Sequence, residues 1–237
     1  MSDRIKVSII GFGHMGHYYT QLLSPCFDIS ILSSKDIQPE VEAMGARYSH
    51  DFGSDISASN YIFITVPLRA LDSIIPLIND HAQPKAVVID CCSARIEAEE
   101  RLAKLKCQHF GIHGGVITGQ PDAIIIDYLA NLGQYFKYLS PEEHDRKATT
   151  TGLAHFIAMV FDSYLMEDDK IELSEGTVGP LLSKIIDHMR INSLSTYQET
   201  QLVNPFMSER RKEFIKALIE YDLLLDSKEF PFGKQKI

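Results

Sequence analysis

Ile5-Lys6-Val7-Ser8-Ile9-Ile10-Gly11-Phe12-Gly13-His14-Met15-Gly16 is a short apolar run that breaks directly into a G-x-G-x-x-G loop. Glycine-rich turns are common, so the spacing alone carries little. Here it follows a β-branched strand pattern and opens a helical one, the setting in which the motif has a mechanism. The first glycine permits the tight turn, the second lets backbone approach a pyrophosphate, and the third lets helix pack on strand. The helix that starts there offers free N–H groups and a partial positive charge to phosphate. Gly11, Phe12, Gly13, His14, Met15 and Gly16 are therefore placed against a dinucleotide.

Outward from this loop, further apolar runs recur at Ile29–Leu32, Tyr61–Val66, Ala86–Ile89 and Cys107–Ile112. Weaker ones lie at Ala123–Ile126 and Tyr135–Leu139. Helix-length segments near 14–24, 38–46, 68–80 and 94–105 separate the stronger runs. Near-continuous apolar strands alternating with helices predict a parallel sheet covered on both faces. At Ser140-Pro141-Glu142-Glu143 the character changes to a helix start, with serine as cap, proline first and glutamate three residues on. Beyond it the apolar residues follow helical spacing, as in Leu181, Leu182, Ile185, Ile186, Met189 and again over 214–225. The expectation is an α/β domain of Rossmann type over residues 1–140, then an all-helical substrate and dimerisation domain over 141–237.

Length and charge agree with this division. The 237 residues correspond to about one and a half typical domains. A formal net charge of −9 argues against a nucleic-acid surface, which needs a basic face. No apolar run reaches the ~20 residues that span a bilayer, and Met1-Ser2-Asp3-Arg4 does not resemble a signal peptide, so a cytoplasmic protein is expected. Cys26, Cys91, Cys92 and Cys107 show no C-x2-C spacing, so reduced thiols are expected and no metal site.

Ligands of open parallel sheets bind beyond the carboxyl ends of the strands. The second strand ends in Ser33-Ser34-Lys35-Asp36, where two hydroxyls and an ammonium suit the 2′-phosphate of NADP. NAD is the alternative, with Asp36 reaching back to the ribose. Val66 and Pro67 follow the Tyr61 strand and border the same cofactor. Asp90-Cys91-Cys92-Ser93-Ala94-Arg95 and His113-Gly114-Gly115 follow the next two strands. An imidazole there can take a hydroxyl proton while hydride leaves the same carbon, and Ser93 can bond that imidazole or the substrate.

These segments resemble the prephenate/arogenate dehydrogenase family. Val7–Gly16 is similar to its opening strand and loop. Val88–Arg95 is similar to its D-V-C-S-V-K segment, which makes Ser93 the counterpart of the active-site serine. Phe110–Gly115 stands where the family has G-x-H-P-M-F-G-P, which makes His113 the counterpart of the catalytic histidine. Glu143–Phe156 and the Asn204-Pro205-Phe206 segment with Glu209 and Arg210 are similar to parts of its helical domain.

The resemblance implies NAD(P)-dependent oxidative decarboxylation of prephenate or arogenate in tyrosine biosynthesis, a small anionic substrate, and a homodimer joined through the helical domain. It also implies that His155 lies near the substrate and that a second-domain arginine holds a substrate carboxylate. Arg210 is placed there, with Arg190 and Arg211 as further candidates. Two departures stand out. Gly114–Gly119 replaces P-M-F-G-P, which predicts a more flexible loop, and Arg95 replaces a lysine. Arg95 and Lys35 are counted among the local positive charges that meet the anionic ligands. Competing readings are a hydroxyacid dehydrogenase or imine reductase, and a non-catalytic dinucleotide-binding paralogue.

Overall fold

A computed structural model describes residues 4–167, 179–191 and 194–227. In chain order the first part runs β1 (Lys6–Ile10), α1 (His14–Leu23), β2 (Asp28–Leu32), α2 (Gln38–Ala43), β3 (Arg47–Ser49), α3 (Phe52–Ala58) and β4 (Tyr61–Ile64). A 3-10 turn (Leu68–Ala70) leads into α4 (Leu71–His81), β5 (Val87–Asp90), α5 (Arg95–Leu102), β6 (Gln108–His113), β7 (Val116–Gly119), α6 (Ala123–Asn131) and β8 (Lys137–Tyr138). Helices follow: α7 (Pro141–Glu167), α8 (Gly179–Ile191), α9 (Leu194–Gln198), a π-helical turn (Glu199–Val203) and α10 (Met207–Asp226).

Among the described residues eight strands form one sheet in the order β3-β2-β1-β4-β5-β6-β7-β8. All neighbours are parallel except β6 and β7. Strand order reverses between β1 and β4, and the crevice at that switch is where such sheets take ligands. The apolar strand runs are explained by two covered faces. Ile31, Ile9, Phe63, Ile89 and Phe110 pair side by side across five strands and point to one layer of helices. The next row, Leu32, Ile10 and Ile64, points to the other. This row continues through Asp90 and Gly111, and its polar end is part of the site.

Three local expectations change. Ala123–Ile126 is not a strand but the first turn of α6. Asp122 caps that helix by accepting the Ile124 N–H at 3.0 Å, and Ile125, Ile126 and Leu129 are buried while Ile124 is 57% exposed. One-sided burial at helical spacing outweighs the β preference of three successive isoleucines.

Gly114–Gly119 is not a flexible loop. Gly114 (φ +56°) and Gly115 (φ +76°) form a two-residue turn, and β7 returns beside β6 with His113 opposite Val116. Two successive positive φ values are what a tight hairpin of this hand requires. Finally, β3 and α3 are additional, too short to show a period.

The capping box at the start of α7 forms as expected. Ser140 Oγ accepts from Glu143 N at 3.1 Å, and Glu143 accepts from Ser140 N at 2.9 Å. From Pro141 onward the described residues contain helix and turn without strand. The side chain of Leu182 lies outside the described residues. Among them, no helix is long and apolar enough to cross a membrane.

Candidate active site

The glycine loop fits a dinucleotide. Gly11 has φ +99°, and a Cβ there would lie 2.8 Å from Val66 Cγ1. A Cβ on Gly16 would collide with the Gly11 carbonyl oxygen, so helix and loop touch there. A Cβ on Gly13 would meet nothing within 4 Å, which leaves the middle of the loop open to a phosphate. Gly13 caps α1 without a side-chain hydrogen bond, so the first N–H groups of the helix are left to an anion. Thr65 Oγ1 donates to the Gly11 carbonyl at 3.0 Å and holds the loop to β4. His14 is exposed, while Phe12 and Met15 are half-buried.

At the end of β2, Ser33 is buried and its hydroxyl accepts from Lys35 N at 3.1 Å. Tyr48 donates to the Lys35 carbonyl at 2.7 Å, bracing a turn that leaves Ser34, Lys35 and Asp36 exposed. Val66 and Pro67 follow β4 and are half-buried.

Beyond β5, Arg95 is fully buried and is not a free charge for a ligand, contrary to expectation. Its guanidinium spans both oxygens of Asp90, reaching Oδ2 at 2.9 Å, and also donates to Glu99 at 2.8 Å and Thr118 at 3.0 Å. It lies on Gly111, where any Cβ would collide with it. Buried arginine holds its proton more firmly than usual beside these carboxylates. Against the opposing effect of burial, the hydrogen bond from His109, the charge of Arg95 and the hydrogen bond from Thr118 hold Glu99 down to about 2. Two carboxylates thus take up the one guanidinium, and the cluster ties β5, β6, β7 and α5 together.

Ser93 is buried and its hydroxyl donates to Glu199 at 2.9 Å rather than to His113. The second oxygen of Glu199 accepts the Leu68 N–H at 2.7 Å. Glu199 stands at the first position of the π-helical turn, a distortion that often accompanies functional residues. One carboxylate thereby fastens the helical region to the ends of two strands.

His113 is the last residue of β6. Its Nδ1 lies 3.0 Å from His144 Nε2, and His144 Nδ1 lies 2.9 Å from Asp145 Oδ1. Asp145 accepts the Arg95 and Ile96 N–H groups at 2.9 and 3.0 Å, capping α5. Asn204 donates to the Asp145 carbonyl at 2.8 Å. Burial, with His144 and Arg95 nearby, pushes His113 down to about 4.

The remaining predicted residues lie in the helical region. His155 packs edge-on against Tyr197, with ring centroids 5.0 Å apart, and its Nδ1 is buried without a hydrogen-bond partner among the described residues. Arg210 is exposed and pairs with Glu213 on its own helix at 3.1 Å. Arg211 donates to the Gln201 carbonyl at 2.6 Å, and Arg190 pairs with Asp162.

Asp145, His144 and Glu199 were not singled out as site residues from sequence. A histidine-aspartate pair one turn into a capped helix was a visible signal for the first two. Glu199 has no local signal, since its partners are 106 and 131 residues away.

No protein-family model matches the chain, and no curated protein matches it by sequence. Solved structures match its fold. Prephenate dehydrogenase from Aquifex aeolicus, in complex with hydroxyphenyl propionate and NAD+, superposes with a TM-score of 0.73 at 17% identity, over 94% of this chain and 91% of that one. Synechocystis arogenate dehydrogenase gives 0.66 at 16% identity, over 96% and 94%. A reductive aminase from Aspergillus terreus, with NADPH4, cyclohexanone and allyl amine, gives 0.55 at 18%, over 79% and 75%. The chain has the Rossmann-like sheet and helical C-terminal region of the prephenate and arogenate dehydrogenase fold.

Proposed function

We propose that this chain is a cytoplasmic NAD(P)-dependent dehydrogenase that oxidatively decarboxylates prephenate or arogenate in tyrosine biosynthesis. The observation that carries this is the placement of His113, hydrogen-bonded through Nδ1 to His144, one strand away from Ser93 and at the same carboxyl end of the sheet as the glycine loop. Gly11 to Gly16 and the start of α1 would hold the pyrophosphate. Ser33, Ser34 and Lys35 favour NADP over NAD, while Val66 and Pro67 border the loop. A nicotinamide dinucleotide bound there supplies the hydride acceptor.

His113 takes the proton of the ring hydroxyl as that carbon loses hydride, and carbon dioxide then leaves to make the ring aromatic. Only one proton must be managed, so alignment does most of the catalysis. Ser93, whose hydroxyl donates its hydrogen bond to Glu199, offers an oxygen lone pair toward the substrate. His155 and one of Arg210, Arg190 or Arg211 are assigned to the substrate side chain. We further propose a division at residue 140 and a homodimer formed through the helical region.

The test is turnover of prephenate and of arogenate with NAD and NADP side by side. Cofactor reduction with release of carbon dioxide is expected, and H113N is expected to abolish it while nucleotide binding persists. Turnover of cyclic imines or hydroxyacids alone, or nucleotide binding without any turnover, would overturn the assignment. Retained turnover in H113N would remove His113 from its role.

A further inference from the structure

The hydrogen bonds behind His113 have a direction, and it follows from one fixed point. Asp145 receives two backbone N–H groups from the first turn of α5, one on each oxygen. Backbone nitrogen can only donate, and a carboxylate capping a helix N-terminus is held in its acceptor form. His144 Nδ1, 2.9 Å from the same carboxylate, is therefore the donor. A neutral imidazole has one N–H, so His144 Nε2 is a lone pair. His113 Nδ1, 3.0 Å away, must supply the proton for that bond.

From this we infer that His144 and Asp145 are a positioning pair that locks His113 in one tautomer, with its proton on Nδ1 and a lone pair on Nε2. The catalytic meaning of the lock rests on the dehydrogenase reading above; the lock itself does not. A base that must accept a proton from substrate needs its free lone pair on the outward nitrogen before the substrate arrives. When His113 takes that proton at Nε2, its Nδ1–H keeps the same acceptor. The new positive charge then sits one ring away from Asp145, and no other bond has to turn over.

The titratable and charged neighbours from the packed elements agree. His144 and Arg95 oppose a cationic His113 and Asp145 favours it, while burial is the largest influence and keeps the ring neutral. Arg95 is itself balanced by Asp90 and Glu99.

Two substitutions separate tautomer control from simple packing. In H144Q the side-chain carbonyl can stand where Nε2 stood and still accept from His113 Nδ1. In D145N the amide nitrogen in place of Oδ1 gives up the Arg95 N–H and donates to His144 Nδ1, which would reverse the chain and move the His113 proton to Nε2. The experiment is two-bond nitrogen–proton correlation NMR on the full chain labelled with nitrogen-15 in histidine, at neutral pH. Wild type and H144Q should show His113 protonated on Nδ1 alone, D145N should show it protonated on Nε2, and H144F should show a mixture.

Should D145N not fold, the H144Q and H144F pair decides the matter. A wild-type His113 that is charged or protonated on Nε2, or an H144F spectrum identical to wild type, overturns the positioning role. In parallel, D145N should lose on the order of 10³-fold or more in kcat on prephenate or arogenate with little change in KM, as expected for a wrong tautomer. H144Q should recover most of the loss seen in H144F. If the spectra behave as described and no form of the protein turns over either substrate, the dehydrogenase reading fails and the positioning pair stands.

Discussion

Gly111 and Arg95 show how a single missing atom organises the site. Asp90 and Gly111 are paired in register on adjacent strands, and the guanidinium of Arg95 lies over both. Any side chain at 111 would occupy the space of that guanidinium and leave Asp90 buried without its cation. Breaking a buried ion pair costs about 3–5 kcal/mol. Gly111→Ala should therefore destabilise the protein by ~3 kcal/mol or more in urea denaturation, although it adds only one methyl group. A loss below ~1 kcal/mol would mean that Arg95 has another resting place.

His113 makes the matching prediction for pH. Its pKa falls from the ordinary 6.5 to about 4 on folding. Above pH 6.5 the ring is neutral folded or unfolded and has no effect. Between 6.5 and 4 the unfolded chain binds the extra proton, so stability is lost as pH falls, by roughly 3 kcal/mol in all, and levels off below 4. His155, also lowered by burial, acts in the same direction. Denaturation midpoints measured from pH 7 to 4 should fall, and H113Q should flatten the decline.

The β6–β7 hairpin is the element on which the position of His113 depends. Its turn is Gly114-Gly115, both at positive φ, and a side chain in that conformation costs about 1–2 kcal/mol per residue. G114A/G115A should accordingly lose ~2–4 kcal/mol, and its kcat should fall more than its affinity for nucleotide, because the imidazole sits at the residue that enters the turn. Unchanged stability and kcat would show that the turn does not hold the ring. The same hairpin marks where sequence reading stops. The strand runs and glycine loop were legible because a doubly covered sheet needs apolar side chains on both faces. The capping box was legible because its partners are three residues apart. Gly-Gly after His113 reads as flexibility, although two glycines between β-prone runs also suit a tight turn. Ala123–Ile126 reads as a strand by its successive isoleucines, and Asp122 as a helix cap is the local signal against it. His113 and Ser93 were found as strand ends, whereas Glu199 depends on a long-range contact that no local pattern announces.

At the scale of the whole molecule, specific polar contacts join the sheet to the helical region: Glu199 to Ser93 and Leu68, Asp145 to α5, and His144 to His113. These bonds fix the helical region against the strand ends, yet they leave much of its apolar surface uncovered. Leu218, Ile219, Leu223 and Leu225 on α10 are 52%, 57%, 62% and 51% exposed, and Leu181 and Ile185 on α8 are 60% and 48% exposed. Large apolar side chains exposed in such numbers on two helices are unfavourable in water and mark association. A second copy of the chain is the partner proposed above, and hydrophobic burial would have to overcome the repulsion between two chains of net charge −9. Raising salt screens that repulsion over about 10 Å at 0.1 M, so association should strengthen with ionic strength. Sedimentation should give a dimer at micromolar concentration. The double variant I219E/L223E, which adds two charges per copy on the exposed side of α10, should sediment as a folded monomer. A variant that remains dimeric would place the interface elsewhere on the helical region. A wild-type chain that is monomeric at every salt concentration would leave this face to a different partner.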